Sequence, residues 1–336
     1  MGEVLRVGII GAGSMAQAHA AALAAIEEVR VTAVADPELE RARALAERLG
    51  ARAVPEQADV LDDVDAVWLC TPPFLHCAQA LAAAAAGKHV FCEKPMALTL
   101  DEADRMIAAA RQAGVKLMIG QVLRYYPPIA ALRTLVESGE LGEVVYCFSR
   151  RFAAARFEAM APWRRKGTMG GGFVLEWGIH EVDALRFLVQ RPAGQVYGRL
   201  AFLDRENPDF ATDAHAIISF AGGITATFDG GLTSAIREWT WGVQGTRGAA
   251  RAEGMQRLRV ARLDERNERV LELAPLTDPE RKINLAVLQE NRAFIEAILR
   301  DAPVPVPGEE GRATLALCLA IHRSHAVGQA IALQGA

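Results

Sequence analysis

The chain reads as an α/β protein: a doubly wound parallel sheet at the N-terminus, then an α+β domain built on a mostly antiparallel open sheet. Three observations predict this. Apolar, β-branched runs alternate with helical segments over the first 120 residues. A glycine turn joins the first run to the first helix. After Gln121 the pattern changes to successive strand-like runs with few helices between them.

The elements follow in order. VLRVGII is a short strand-like run, and GAGSMA comes directly after it, opening an Ala-rich helix over Gln17 to Ile26. Val29 to Ala35 is a second apolar run ending in Asp36-Pro37, and Leu39 to Leu49 has helical spacing and stops at Gly50. The alternation continues with strand Ala66 to Cys70, helix Cys77 to Ala86, strand His89 to Cys92, helix Leu100 to Ala113 and strand Lys116 to Ile119. Beyond it, Val144 to Arg151, Gln195 to Phe202, Ala214 to Phe220, Thr225 to Leu232 and Trp239 to Gln244 read as strands, with a hairpin signal at Gly222-Gly223. Helices Leu285 to Leu299 and Ala313 to Ala330 finish the chain. Two domains are expected, residues 1–121 and 122–336.

Composition narrows the function classes. With 51% hydrophobic and 23% charged residues the chain is ordinary globular protein. The 37 basic residues against 41 acidic ones leave a net charge of −4, with no basic cluster beyond Arg164 to Lys166, so nucleic acid is not an expected partner. No apolar run approaches the roughly 20 residues that span a bilayer, and Arg6 interrupts the first hydrophobic stretch, so secretion and membrane insertion are not expected. The cysteines, Cys70, Cys77, Cys92, Cys147 and Cys318, have no zinc spacing and read as free thiols of a cytoplasmic protein, with no metal site expected. Nor do His215, His322 and His325 show ligand spacing. Only five of the basic residues are lysines, Lys88, Lys94, Lys116, Lys166 and Lys282, so each retained lysine invites a reason that arginine could not serve.

Gly11, Gly13 and Ala16 match GxGxx(G/A), with Ser14 and Met15 between them: the first glycine turns the chain, the second admits a pyrophosphate, and the third small residue packs helix on strand. Asp36 lies 20 positions beyond Ala16, at the end of the second strand. There a carboxylate accepts from both ribose hydroxyls of an adenosine and opposes a 2′-phosphate, so this Rossmann-type unit is expected to bind NAD, with NADP disfavoured. The alternative for Asp36 is a turn residue ahead of Pro37.

TPPFLH at Thr71 to His76, AGKHVFCEKPMA at Ala86 to Ala97 and GGGFVLEWGIHEVD at Gly170 to Asp183 resemble, in that order, the signatures of the glucose-fructose oxidoreductase, inositol dehydrogenase and MocA-like family. The resemblance runs through nearly the whole chain. It implies that Lys94 is the catalytic-site lysine, His180 the proton-transfer residue, and Glu176 a group that holds a substrate hydroxyl or orients the histidine. Chemistry agrees with those roles, since oxidising a secondary alcohol needs a base near neutral pH and a cation beside the developing alkoxide. Similar proteins usually carry Asp where this chain has Glu176, one methylene longer. The resemblance further implies Thr71, Pro72 and His76 near the cofactor, Glu93 near the nicotinamide ribose, and Gln121 at the last parallel strand end. Arg124, Tyr125, Tyr126, Arg156, Trp163, Arg164 and Asp183 are candidates for substrate contact. Packing and solvated charge are the alternatives for these, a surface position for Lys94, and an ordinary helix-face pair with Asp183 for His180.

The expected activity is hydride transfer between NAD and a secondary alcohol of a sugar, inositol or related polyol. Two alternatives stay open: redox-neutral conversion with tightly held NAD, and a non-catalytic NAD-binding sensor. A homodimer or homotetramer is expected, formed through the exposed face of the C-terminal sheet, because Ile218 with Phe220 and Ala226 with Phe228 fall at alternate positions and one such set should need outside cover.

Overall fold

In a computed structural model, residues 4–155 and 160–333 are described, and Arg156 lies outside them. In chain order the first stretch comprises β1 (Leu5–Ile10), α1 (Ser14–Leu23), β2 (Val29–Ala35), α2 (Leu39–Leu49), β3 (Arg52–Val54), α3 (Ala58–Leu61), β4 (Ala66–Leu69), α4 (Pro73–Ala85), β5 (His89–Glu93), α5 (Leu100–Ala113) and β6 (Leu117–Gly120). Next come α6 (Pro127–Glu137), β7 (Val144–Ala154), α7 (Gly167–Gly170), α8 (Ile179–Val189), β8 (Ala193–Ala201), β9 (Asp213–Phe220), β10 (Thr225–Gly231), β11 (Thr233–Gly245), β12 (Gly248–Glu253), β13 (Arg257–Arg262) and β14 (Arg269–Glu272). The chain closes with α9 (Leu285–Leu299), α10 (Gly308–Val327) and β15 (Ile331–Ala332).

These elements form two compact units, Met1–Val122 with Thr277–Arg312, and Leu123–Leu276 with Ala313–Ala336. A division after residue 121 therefore meets the first crossover to within a residue but misses the return of Thr277–Arg312, including α9, to the first unit.

The first unit holds a parallel six-stranded sheet in the order β3-β2-β1-β4-β5-β6. Its central strands are apolar but for the exposed Arg6 of β1 because helices cover both faces, and every residue of β4 and β6 is buried. Trp68 of β4 stacks on Phe91 of β5 with ring centroids 5.6 Å apart, and Phe294 of α9 meets the same indole edge-on at 5.4 Å. Helix α4 starts at Pro73, four residues ahead of the stretch expected from the sequence, because proline suits a first helical position that needs no N–H donor.

The second unit is built on a nine-stranded sheet, β14-β13-β12-β11-β7-β10-β9-β8-β15, in which only β7 and β10 run parallel. Strand β9 alternates, with Ala216, Ile218 and Phe220 buried and His215, Ile217 and Ser219 exposed. The expectation that Ile218, Phe220, Ala226 and Phe228 need a partner's cover is corrected here. All four are buried within the unit, and Phe173, just ahead of α8, stacks parallel on Phe228 at 6.1 Å. The open face instead carries Ile217, Thr225, Thr227 and Asp229, with Tyr146 and Phe148 beside them, and Tyr146 Oη bonds Thr227 Oγ1 at 2.6 Å.

Candidate active site

In the first unit the expected cofactor residues gather at the C-terminal edge of the parallel sheet. Strand β1 ends at Ile10 and the chain turns through Gly11 at φ +92°, where a Cβ would lie 2.8 Å from the Cys70 carbonyl oxygen, so only glycine fits. Gly13 caps α1 with no side chain to bond the first-turn N–H groups, and nothing lies within 4 Å of where its Cβ would stand. An open space in front of uncapped helix donors at Ser14, Met15 and Ala16 is an anion cradle, and the fully buried Ala16 lets the helix sit close to the sheet.

Asp36 follows β2 with its carboxylate fixed at both oxygens. Ala12 N–H donates to Oδ2 at 2.8 Å and Glu38 N–H to Oδ1 at 2.9 Å. The turn role and the carboxylate-presenting role are thus the same geometry. Gln121, just past β6, is buried, and neither end of its side-chain amide has a hydrogen-bond partner among the described residues. A glycine cradle, a held carboxylate and an orphaned amide along one sheet edge fit a dinucleotide that brings phosphates, hydroxyls and a carboxamide.

Thr71 and Pro72 form the turn after β4, with Pro72 at the N-cap of α4 and Thr71 Oγ1 donating to Gln79 Oε1 at 2.5 Å. His76 clasps two strand-end turns: Nδ1 faces the Pro95 carbonyl at 2.9 Å and Nε2 the Thr71 carbonyl at 2.8 Å. Burial pushes its imidazole below the usual range against the pull of those carbonyls. Lys94, half-buried, follows β5 and is joined to Pro95 by a cis peptide. Its backbone N–H donates to Glu93 Oε2 at 3.1 Å, and His19 Nε2 lies 2.9 Å from Glu93 Oε1. Burial alone would raise the Glu93 carboxyl, but the His19 hydrogen bond and the Lys94 charge outweigh it and hold the group below its ordinary value.

In the second unit Glu176 sits in a π-helical turn, Val174–Gly178, that runs straight into α8, whose first turn carries His180 and whose second carries Asp183. Such widened turns recur at functional sites. Glu176 is buried, and Arg164 Nη1 lies 3.3 Å from its Oε1 while the same guanidinium stands over the Trp163 ring, 5.2 Å from its centroid. Arg124 and Asp183, both substrate candidates, form a two-pronged ion pair at 2.7 Å on each prong, and Thr314 Oγ1 adds a bond to Asp183 Oδ1 at 3.0 Å. Tyr125 closes a 3₁₀ turn and Tyr126 caps α6, its ring 6.0 Å from that of Trp239.

Sequence reasoning missed three residues. His19 and Asn291 meet in the first unit, and a lone histidine three positions past Ala16 in an alanine-rich helix was the available signal for one of them. Glu181, next to His180, is fully buried and takes four donors: Trp239 Nε1 at 2.9 Å, Trp241 Nε1 at 2.6 Å, Ser149 Oγ at 2.5 Å and Arg151 Nη1 at 3.3 Å. It pins the start of α8 to β7 and β11. An acid inside an amphipathic helix gives no sign of this from sequence.

The strand order, the glycine turn opening onto an uncapped helix and the carboxylate at the second strand end define a dinucleotide-binding protein. Residues 5–121 match an oxidoreductase family with an NAD-binding Rossmann fold, and residues 129–251 match the Gfo/Idh/MocA C-terminal domain. A 1,5-anhydro-D-fructose reductase from Ensifer adhaerens is 31% identical over 342 residues, spanning 98% of both chains. A myo-inositol 2-dehydrogenase from Thermotoga maritima is 28% identical, over 95% of this chain and 96% of that one. The structure of the WlbA dehydrogenase from Bordetella pertussis, in complex with NADH and UDP-GlcNAcA, superposes with a TM-score of 0.86 at 27% identity, covering 99% of this chain and 98% of that chain. The chain belongs to the Gfo/Idh/MocA family and is an NAD-dependent oxidoreductase.

Proposed function

We propose that the protein oxidises a secondary alcohol of a sugar, inositol or related polyol, with His180 and Lys94 managing the hydroxyl proton. The observation that carries this reading is the pair of settings in which the two residues stand: Lys94 at the C-terminal end of a parallel strand, where open α/β sheets place ligands, and His180 on the first turn of a helix entered through a buried carboxylate. Bound NAD supplies the hydride acceptor. The protein's own residues do the rest. His180 takes the hydroxyl proton, and Lys94, as an ammonium, favours the developing alkoxide. Glu176 holds a substrate hydroxyl or the histidine ring. Asp36 binds the adenosine ribose and the α1 N-terminus the diphosphate. The names of the relatives, a reductase of an anhydro-sugar and a dehydrogenase of an inositol, support a polyol substrate. Buried thiols at Cys77, Cys92, Cys147 and Cys318 support a reducing, cytoplasmic setting.

The test is a screen for NADH formation against sugars, anhydro-sugars, inositols and hydroxy acids, followed by the Lys94→Ala and His180→Ala variants on whichever compound responds. Product formed without net NADH would replace dehydrogenation by a redox-neutral conversion. NAD binding with no turnover across the panel would leave a sensor.

A further inference from the structure

A chain of buried hydrogen bonds in the first unit ends on the carboxylate next to Lys94. Trp68 Nε1 can only donate, and it meets Asn291 Oδ1 at 2.6 Å. The Val287 carbonyl can only accept, and it meets Asn291 Nδ2 at 2.6 Å. These two contacts fix which end of the Asn291 amide is which. The second N–H of that amide then faces His19 Nδ1 at 2.9 Å, nearer than Asn291 Oδ1 at 3.2 Å, so Nδ1 accepts and the ring carries its hydrogen on Nε2. That hydrogen is donated to Glu93 Oε1 at 2.9 Å, while Glu93 Oε2 accepts from the Lys94 backbone at 3.1 Å. His19 and Asn291 are fully buried, and the His19 ring meets Phe91 edge-on at 5.0 Å, so this histidine has no route to substrate.

We propose that His19, with its tautomer set by Asn291, is a positioning residue for the cofactor: it aims the Glu93 carboxylate so that its remaining lone pairs receive a hydroxyl of the nicotinamide ribose. A carboxylate offers about four acceptor sites, and among the described residues two of those of Glu93 are used. Without a donor at Oε1 the carboxylate would turn toward some other donor, and the ordering of the Glu93 and Lys94 backbone would go with it. The inference rests on the reading that Glu93 lies at the nicotinamide end.

Four measurements on the full chain test it. NAD dissociation constants are determined by calorimetry for the wild type and for His19→Leu, His19→Gln and Glu93→Gln, with melting curves to show that each is folded. His19→Gln keeps an amide N–H near the position of Nε2, whereas His19→Leu keeps bulk alone. We expect His19→Leu and Glu93→Gln each to weaken NAD binding about tenfold or more, and His19→Gln to stay within about threefold, as loss or retention of a hydrogen bond to a charged group requires. KM for NAD should rise in step with the dissociation constant, while kcat at saturating NAD moves less. Nitrogen NMR of histidine-labelled wild type should show one histidine locked as the Nε2–H tautomer, a signature independent of whether any variant folds. Normal NAD binding by His19→Leu beside impaired Glu93→Gln overturns the positioning role alone. Equal damage in His19→Gln and His19→Leu also overturns it, since packing would then explain both. Normal binding by Glu93→Gln overturns the placement of Glu93 itself.

Discussion

A carboxylate gripped by two backbone N–H groups cannot swing away from an incoming phosphate. Asp36 is held in this way by Ala12 and Glu38, so the 2′-phosphate of NADP would meet a fixed like charge, and such juxtaposition costs several kcal/mol. The expected preference for NAD over NADP is about a hundredfold or more in kcat/KM. Asp36→Ser should narrow it, and comparable values for the two cofactors in the wild type would remove the assignment. Lys94→Ala and His180→Ala should each lower kcat by about 10²-fold or more, the lower end of what proton transfer contributes. Near-normal turnover in either variant would take that residue out of the mechanism. Glu176 is a finer case. Its pairing with Arg164 indicates that charge is the property to keep, so Glu176→Asp should be milder than Glu176→Gln, and the reverse order would show that reach matters more. At this scale the glycine turn and the held acid were legible, because glycine at a positive φ and an acid at a strand end are local requirements. The Arg124–Asp183 pair and the Glu181 socket were not, because each joins residues remote in sequence through side-chain directions that no local pattern encodes.

Among the elements, α5 begins with a reciprocal cap: Thr99 Oγ1 accepts from Glu102 N–H, and the Glu102 carboxylate accepts from Thr99 N–H. Thr99→Ala should cost about 1 kcal/mol in urea unfolding. Across β9 and β10, His215 and Asp229 are register partners joined at 2.9 Å, and the hydrogen bond to Asp229 raises the imidazole above its usual value. A raised folded-state value means that this pair stabilises the fold fully below the unfolded pKa and ceases to do so as pH rises through the folded one. The stability gap between wild type and His215→Gln should therefore be larger near about pH 5.5 than near about pH 8.5, by less than about 1 kcal/mol for so exposed a pair. A gap that does not change with pH would contradict it. The parallel strands β1, β2, β4, β5 and β6 were readable because their runs are largely apolar, whereas β3, three residues long with Arg52 exposed, escaped notice. Strands β12 to β14 escaped notice because charged residues such as Arg251, Arg257 and Arg259 occupy their outward positions, and α6 and α8 because their apolar stripes sit between stronger strand signals.

For the whole molecule, the open face of the nine-stranded sheet carries the expectation of self-association. It displays Ile217, Tyr146 and Phe148, with a groove of about 350 Å³ bordered by Phe148, Gln244, Arg251 and Arg259. Exposed apolar and aromatic side chains rimmed by polar ones are the pattern that marks protein–protein contact sites. Light scattering should give the mass of a dimer or tetramer at micromolar concentration, and a monomeric mass would end the idea. What the sequence could not disclose is which core a late helix joins, since amphipathic spacing specifies a buried face but not its neighbour. That return has a consequence for how the protein is made. Trp68 and Asn291 are 223 positions apart, and Phe294 packs on the same indole, so the first sheet to leave the ribosome stays open on one flank until nearly the last helix is synthesised. At ordinary elongation rates that delay is on the order of ten to forty seconds. During it the rings of Trp68 and Phe91 lack their cover, and a fragment ending after Gln121 should keep them uncovered and aggregate more readily than the intact chain in a sedimentation assay.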